Sequence, residues 1–224
     1  GVGHPLDFVD ADGRLFLVME YIEGAPLSMA LFGGVTLPVS QALRVLRGAC
    51  EAVAAAHAAH ATHGCLEPDK VLLGQDSLIH VVGFGFRDED ALKHPGGDVP
   101  ADVDLCTAPE RWSGAFETTD ADVWALGALL YRCLSGSYPF EAETRSELSH
   151  KVQTSDVVPP LFEASVVVKP AIEAVVLRAL SRDPTLRYPD AAVFARALVE
   201  LEGMMPAESA AAAVEETHSA DVTD

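Results

Sequence analysis

The pattern of apolar and polar positions predicts a largely helical chain with two β-hairpins in its amino-terminal part. Asp10-Ala11-Asp12-Gly13 is a turn sequence between two short apolar runs, which predicts a hairpin with Arg14 to Tyr21 as its second strand. A second hairpin is predicted where two β-prone runs, 71–73 and 78–82, flank the turn-forming residues 74–77.

Apolar residues that recur every three or four positions predict the helices. The predicted segments are Pro26 to Leu31, Pro38 to Ala61, Thr119 to Leu134, Glu143 to Gln153, Lys169 to Leu180 and Asp190 to Leu201. Thr119 and Asp122 have the spacing of a capping pair, and Gly136 is expected to end that helix. The last helix is expected to bury Val193, Ala197, Leu198 and Leu201.

One histidine falls within an apolar stripe of the long second helix. The stripe consists of Leu43, Leu46, Cys50, Val53 and His57. Neither His57 nor His60 has a carboxylate or thiol at ligand spacing, so we expect structural roles for both and no metal site.

Composition limits the classes of function. The 224 residues are 49% hydrophobic and carry a formal net charge of −19, which fits a folded domain but neither a nucleic-acid-binding nor an anionic-membrane-binding protein. The 4 cysteines show no C-x-x-C spacing, so we expect free thiols in a reducing cytoplasm. No apolar run is long enough to span a membrane and no signal peptide is visible. The chain begins with Gly1, so we expect it to be a piece of a longer polypeptide.

The segment 63–86, HGCLEPDKVLLGQDSLIHVVGFGF, carries the most specific motif. It resembles the catalytic and metal-binding loops of the eukaryotic-like (bacterial-type) Ser/Thr protein kinases, written H-R-D-L-K-P-x-N and D-F-G. The matching residues are His63, Leu66, Pro68, Phe84 and Gly85. These matches form the structural part of the motif.

The residues that differ from the family pattern are the chemical ones. Gly64 replaces Arg, Cys65 replaces the catalytic Asp, Glu67 replaces Lys, Lys70 replaces the metal-binding Asn, and Gly83 replaces the magnesium-binding Asp. The resemblance therefore implies a kinase fold without phosphoryl transfer, that is, a pseudokinase with no metal site.

Four further residues match the family's structural skeleton. Thr107-Ala108-Pro109-Glu110 resembles the Ala-Pro-Glu motif, whose carboxylate pairs with a distant arginine that corresponds to Arg187. The string 122–127, DVWALG, resembles the motif of the buried central helix. Asp122 is expected to hold the backbone of the catalytic loop rather than to act as an acid, and Trp124 belongs to the same motif.

The segment before the first helices resembles the kinase hinge. Met19 would guard the back of a vestigial nucleotide pocket, Glu20, Tyr21 and Ile22 would form the hinge, and Leu72 would floor the adenine site. No lysine precedes Lys70, so the strand lysine of the family is missing. We expect no bound cofactor, and an uncovered apolar surface around Leu72.

Between Phe86 and Thr107 the chain is acidic and rich in Gly and Pro, which is typical of a mobile loop. This activation-segment equivalent contains no Ser or Thr before Thr107, so activating phosphorylation has no acceptor. Gly64 also lacks the side chain that would bind the phosphate.

The expected architecture is α+β and protein-kinase-like, mostly the helical large lobe. Residues 1–24 would be a remnant of small-lobe strands with the hinge, 25–203 the large lobe, and 204–224 a disordered, acidic, Ala-rich tail. The expected function is a protein-binding, regulatory or scaffold module whose partner is an active kinase or another signalling protein. The alternative is a Ser/Thr kinase that uses ATP and magnesium with non-standard residues and a small lobe supplied upstream.

Overall fold

The computed structural model describes most of the chain between Gly1 and Met204. The described residues are 1–3, 5–11, 14–85, 104–155, 158, 161 and 170–204. Three predictions lie outside them: the mobile acidic loop, apart from its last residues 104–107, the disordered tail from 205 onward, and the turn at 12–13.

The first hairpin is confirmed. Strand β1 (Pro5–Ala11) pairs antiparallel with β2 (Arg14–Met19), with Phe8 opposite Leu17 and Val9 opposite Phe16. Apolar side chains are exposed on both faces of this two-stranded sheet, because the register places Phe8 on one face and Phe16 on the other.

The second hairpin is also confirmed, and it forms part of a three-stranded antiparallel sheet. Strands β3 (Gly24–Pro26), β4 (Val71–Gly74) and β5 (Ile79–Val81) lie in the order β3-β4-β5. The first three residues of the chain run beside β5, where Val2 forms a parallel bridge with Val81.

Seven α-helices occur in the described part of the chain. They are α1 (Leu27–Ala30), α2 (Val39–Ala58), α3 (Pro109–Trp112), α4 (Thr119–Ser135), α5 (Arg145–Thr154), α6 (Pro170–Ala179) and α7 (Ala191–Gly203). Short 3-10 turns lie at Phe32–Gly34, Pro68–Lys70 and Pro184–Leu186. The predicted α+β architecture is confirmed.

Helix α4 is the centre of the core, with almost every side chain from Ala121 to Leu134 buried. It packs between α2 and α6, and α2 in turn packs against α7 and the three-stranded sheet. Gly127 permits the close approach of α4 to α6, since a Cβ atom there would lie 2.8 Å from the Cβ of Ala179. The sheet and the helical bundle therefore share one core.

The predicted capping pair of α4 is wrong. The cap is Thr118, whose side chain accepts a hydrogen bond from the backbone of Ala121, while the hydroxyl of Thr119 donates to the carbonyl of Pro189. Asp122 makes its hydrogen bonds to the loop at 63–64 instead. Gly136 ends the helix as predicted, in the left-handed conformation with φ 79°.

The buried face of α7 differs from the predicted one. The buried residues are Ala191, Phe194, Ala195, Leu198 and Leu201, whereas Val193 and Ala197 are half-buried. The face is rotated because Phe194 stacks on Tyr188 at 4.9 Å between ring centroids.

The cysteines are free, as predicted: Cys50, Cys106 and Cys133 are buried and Cys65 is half-buried. None of the helices in the described ranges is long and apolar enough to cross a membrane.

Arg187 connects three parts of the helical bundle. Its guanidinium donates two hydrogen bonds to the Glu110 carboxylate of α3, at 2.7 and 2.8 Å. It also donates to the carbonyls of Asp120 and Ser181 and lies 5.0 Å from the ring centroid of Trp124. The side chain of Arg187 is fully buried and that of Glu110 is 20% exposed, so this is a largely desolvated ion pair with well-formed geometry.

We expect Arg187→Ala to lower the free energy of unfolding by about 3–5 kcal/mol, because it leaves the Glu110 carboxylate without its partner. For a domain of this size the melting temperature should fall by roughly 6–20 °C. Arg196→Ala is the matched control, since Arg196 is exposed on α7. Equal, small changes in thermal denaturation for the two variants would contradict a structural role for the Glu110–Arg187 pair.

Candidate functional site

The catalytic-loop equivalent is held by the carboxylate of Asp122. Its Oδ2 accepts a hydrogen bond from the backbone of His63 at 2.7 Å, and its Oδ1 accepts one from Gly64 at 2.9 Å. His57 Nε2 lies 2.9 Å from the same Oδ2, and His57 Nδ1 accepts from the backbone of Ala191 at 3.4 Å. Because Nδ1 is an acceptor, Nε2 carries the proton and donates to Asp122.

His63 joins the two loops of the motif. Its Nε2 donates to the carbonyl of Val82 at 3.0 Å, and its ring lies 4.6 Å from that of Phe84. The backbone of Gly85 donates to the carbonyl of His63 at 3.1 Å. Burial of the imidazole lowers the pKa of His63, which keeps the ring neutral and able to make these contacts.

The catalytic position itself holds a thiol. Cys65 Sγ lies 3.9 Å from the carbonyl oxygen of Gly83, toward which its weak S–H donor is directed. The side chain is half-buried. A thiol at this position lacks the two oxygen atoms and the permanent charge of the carboxylate that a general base would present.

The two family positions that hold magnesium are occupied by Lys70 and Gly83. The Lys70 ammonium lies 3.4 Å from a Glu67 carboxylate oxygen, and a Cβ atom on Gly83 would lie 3.2 Å from Lys70 Cδ. The lysine chain therefore lies across the backbone of Gly83, where the family's metal-binding carboxylate would begin. Glu67 immediately precedes a 3-10 turn and Lys70 is its last residue, and residues three apart in such a turn lie on the same side.

These residues do not fit a magnesium ion. Magnesium requires oxygen ligands, whereas this position offers a glycine and an ammonium group, and the neighbouring carboxylate is paired with that ammonium. Within the ranges that the structure describes, no group of three or more His, Cys, Asp or Glu side chains is placed to hold a metal ion.

The hinge residues surround the start of the chain. A Cβ atom on Gly3 would lie within 3.5 Å of the Met19 and Ile22 side chains and 2.7 Å from that of Val82. Glu20 and Tyr21 are exposed. The structure thus brings Met19 and Ile22 together but leaves Tyr21 apart from them.

The surface around Leu72 is less open than the sequence predicts. Leu72 lies in the central strand β4, opposite Pro26 on one side and His80 on the other, and is half-buried. The sequence did not show that β3 would cover one edge of this strand, because β3 is only 3 residues long.

An ion pair that the sequence analysis missed lies beside the loop. Arg111 Nη2 is 3.2 Å from Glu117 Oε1, and the Glu117 carboxylate lies next to Gly64. Gly64 has φ +81°, and a Cβ atom there would come within 2.5 Å of that carboxylate. The carboxylate thus occupies space next to the position where the family has an arginine. A single sequence gives no sign of this contact, because Gly64 and Glu117 are far apart in the chain.

The residues that follow the acidic loop are attached to α5. The Arg145 guanidinium lies 2.5 Å from the Asp104 carboxylate and 5.0 Å from the ring centroid of Trp112. Cys106 is buried, and its burial raises the pKa of the thiol well above the ordinary value. Cys106 is therefore an inert packing residue.

Comparison with known proteins decides the family. The family model described as "Protein kinase domain" matches residues 4–197. The chain belongs to the protein kinase family. The anchors Asp122, Glu110 and Arg187 and the loops at 63–85 are thus parts of a kinase domain.

The relatives are bacterial Ser/Thr kinases. The chain is 30% identical over 185 residues to the serine/threonine-protein kinase PknE of Mycobacterium tuberculosis, which covers 81% of this chain and 32% of the relative. It is 31% identical over 202 residues to PknH of Mycobacterium bovis, covering 87% of this chain and 33% of the relative. It is 34% identical over 193 residues to Pkn1 of Myxococcus xanthus, covering 83% of this chain and 27% of the relative. The chain therefore spans about a third or less of the length of these curated relatives.

We expect Gly64→Ala to destabilise the kinase domain more than Gly114→Ala. Both glycines have nearly the same positive φ, +81° and +82°, but nothing lies within 4 Å of a Cβ atom on Gly114. The shared conformational strain is about 1–2 kcal/mol, so any excess at Gly64 measures the clash with Glu117. Chemical denaturation of both variants, with Glu117→Ala added to Gly64→Ala, provides the measurement.

Adding Glu117→Ala should restore part of the stability lost in Gly64→Ala, because it removes the carboxylate that meets the new methyl group. Equal losses at Gly64 and Gly114, or no recovery in the double variant, would contradict the packing of Glu117 against the loop.

Proposed function

We propose that this kinase domain is a pseudokinase that acts as a protein-binding, regulatory or scaffold module. The observation that carries the proposal is the position of Lys70, whose side chain lies across Gly83 and pairs with Glu67. A cation and a glycine thus occupy the two positions at which the family holds magnesium. Catalysis of phosphoryl transfer relies on positioning and on charge stabilisation, and this arrangement reverses the charge at the metal site.

The remaining substitutions act in the same direction. Cys65 replaces the aspartate that acts as the base in the family. Loss of this base is expected on its own to lower the rate of phosphoryl transfer by a factor of roughly 10²–10⁴. The family's loop lysine is replaced by Glu67, so the transferring phosphate would meet a carboxylate instead of an ammonium group. Such effects are not additive, but none of them compensates another.

A binding role is supported by exposed apolar side chains and by the acidic charge. On the β1–β2 hairpin, Leu6 and Phe8 are exposed on one strand and Phe16 and Val18 on the other. Phe8 lies on one face of the sheet and Phe16 on the other, so both faces present apolar surface to a partner. With a net charge of −19, the partner proposed here is a protein, not a nucleic acid or an anionic membrane. Free thiols are consistent with a cytoplasmic setting.

The alternative is a Ser/Thr kinase that transfers phosphate from ATP with non-standard residues. The similarity to proteins named as serine/threonine-protein kinases favours it. It requires a small lobe that supplies the missing lysine and a phosphate site that tolerates Glu67. Both hypotheses share the fold and differ in whether magnesium–ATP binds.

We expect the protein to show no magnesium-dependent stabilisation by ATP. A site with a dissociation constant of about 0.1 mM would raise stability by about 2.7 kcal/mol at about 10 mM ligand, which a thermal-shift titration resolves easily. The titration is run with ATP alone, with magnesium alone and with both. The kinase domain of PknE serves as the positive control. A saturable shift that requires both components would overturn the pseudokinase proposal and favour the alternative.

A further inference from the structure

Three apolar side chains are exposed on the segment that leaves the hinge. Met29, Phe32 and Val35 are exposed to 68%, 82% and 53%. We call these three residues the α1 patch. Met29 and Phe32 are three positions apart across the end of α1, so they lie on the same side, while Leu27 and Leu31 point into the core.

The backbone beneath the α1 patch is fixed by the end of α4. The Arg132 guanidinium donates to the carbonyl of Leu31 at 2.5 Å and to that of Val35 at 3.5 Å. Leu37 donates to the carbonyl of Cys133 at 2.7 Å. These bonds hold both ends of the segment against the core.

Gly34 completes this attachment. Its carbonyl lies so close to Gly136 that Gly136 has no room for a side chain. The α1 patch is therefore presented on an ordered backbone, which reduces the entropy lost on binding. Exposed aromatic residues on such rigid supports are typical anchors of protein interfaces.

The chain on either side of the α1 patch is acidic, and Lys70, in the 3-10 turn that packs against α1, is paired with Glu67. No Lys, Arg or His occurs from residue 15 to residue 43, whereas Glu20 and Glu23 lie there and are exposed. Asp69 adds a carboxylate, since Ser28 of α1 donates a hydrogen bond to it. Arg132, which lies beneath the patch, already donates to backbone carbonyls.

From this geometry we propose that the α1 patch docks a lysine- or arginine-rich amphipathic segment of another protein. The apolar side chains of the docked segment contact Met29, Phe32 and Val35, and the cations of that segment face Glu20, Glu23 and Asp69. A second copy of this chain is disfavoured as the occupant, because each copy carries a net charge of −19. The inference rests on the proposed binding role, but not on the absence of phosphoryl transfer.

The test uses synthetic peptides and fluorescence anisotropy. The probe is a labelled amphipathic peptide of alternating lysine and leucine clusters, and a second peptide replaces each leucine by alanine at the same charge. Wild-type protein should bind the leucine peptide, and the alanine peptide should bind at least about tenfold more weakly, because apolar contact supplies part of the affinity. Equal binding of the two peptides, or no binding of the first, would overturn the proposal.

The decisive variant is the double substitution Met29→Ala and Phe32→Ala. Its matched control is Phe116→Ala, since Phe116 is 91% exposed and precedes the amino end of α4. The α1 patch lies at the other end of this 17-residue helix, about 26 Å away along the helix axis. All three side chains are exposed, so the variants should melt as the wild type does.

We expect the double variant to weaken binding of the leucine peptide at least about tenfold and Phe116→Ala to change it less than about twofold. Equal losses would show that the protein attracts the peptide through its general acidity, which would overturn the proposal. A wild-type dimer in sedimentation that dissociates in the double variant would make a second copy the occupant and would also overturn it. The nucleotide titration is a separate measurement, so a failure here is distinguishable from a failure of the pseudokinase proposal.

Discussion

The buried carboxylate of Asp122 is the group on which the rest of this domain depends. A carboxylate that is 2% exposed must find hydrogen-bond donors inside the protein, and Asp122 finds them at His63, Gly64 and His57. These bonds join α4 to the catalytic-loop equivalent and to α2, and His57 extends the connection to α7. Any change that removes one donor leaves a charge without full compensation. The requirement is structural, and it persists whether or not the loop performs chemistry.

The substituted residues of the loop also form ion pairs that balance their charges locally. Glu67 and Lys70 are each opposite in charge to what phosphoryl transfer needs at their positions, yet together they form an ion pair. Gly64 stands where the family has an arginine. The Glu117 carboxylate lies in the adjacent space and forms an ion pair with Arg111. In the pseudokinase that we propose, these two local charge balances stand in place of the charges of a catalytic site. This is what we would expect of a loop that is selected for its fit to the core.

The sequence predicted the parts of the structure that depend on neighbouring residues. The two hairpins followed from turn chemistry at 10–13 and 74–77, and the helices followed from apolar periodicity. The cap at Thr118 and the buried face of α7 were not predicted, because both depend on tertiary contacts. Thr119 donates to the carbonyl of Pro189 instead of capping the helix, and Phe194 of α7 stacks on Tyr188. The Glu117–Gly64 contact joins residues 53 positions apart, so no local pattern could reveal it. The Glu67–Lys70 ion pair could have been predicted, because opposite charges three residues apart are close enough to pair in a turn or helix, but the sequence analysis did not predict it.

Binding of manganese is the most direct measurement of the central claim, which is that the fold is retained while the metal site is replaced. Manganese substitutes for magnesium at oxygen-ligand sites, and its free concentration can be followed by electron paramagnetic resonance in the presence of ATP. The wild type is compared with the variant that carries Lys70→Asn and Gly83→Asp. We predict that wild-type protein leaves the free-manganese signal at the level of ATP alone, and that the variant, which regains two oxygen ligands, lowers it. A saturable site of equal affinity in both proteins would contradict the account, because metal would then bind without the residues that it requires.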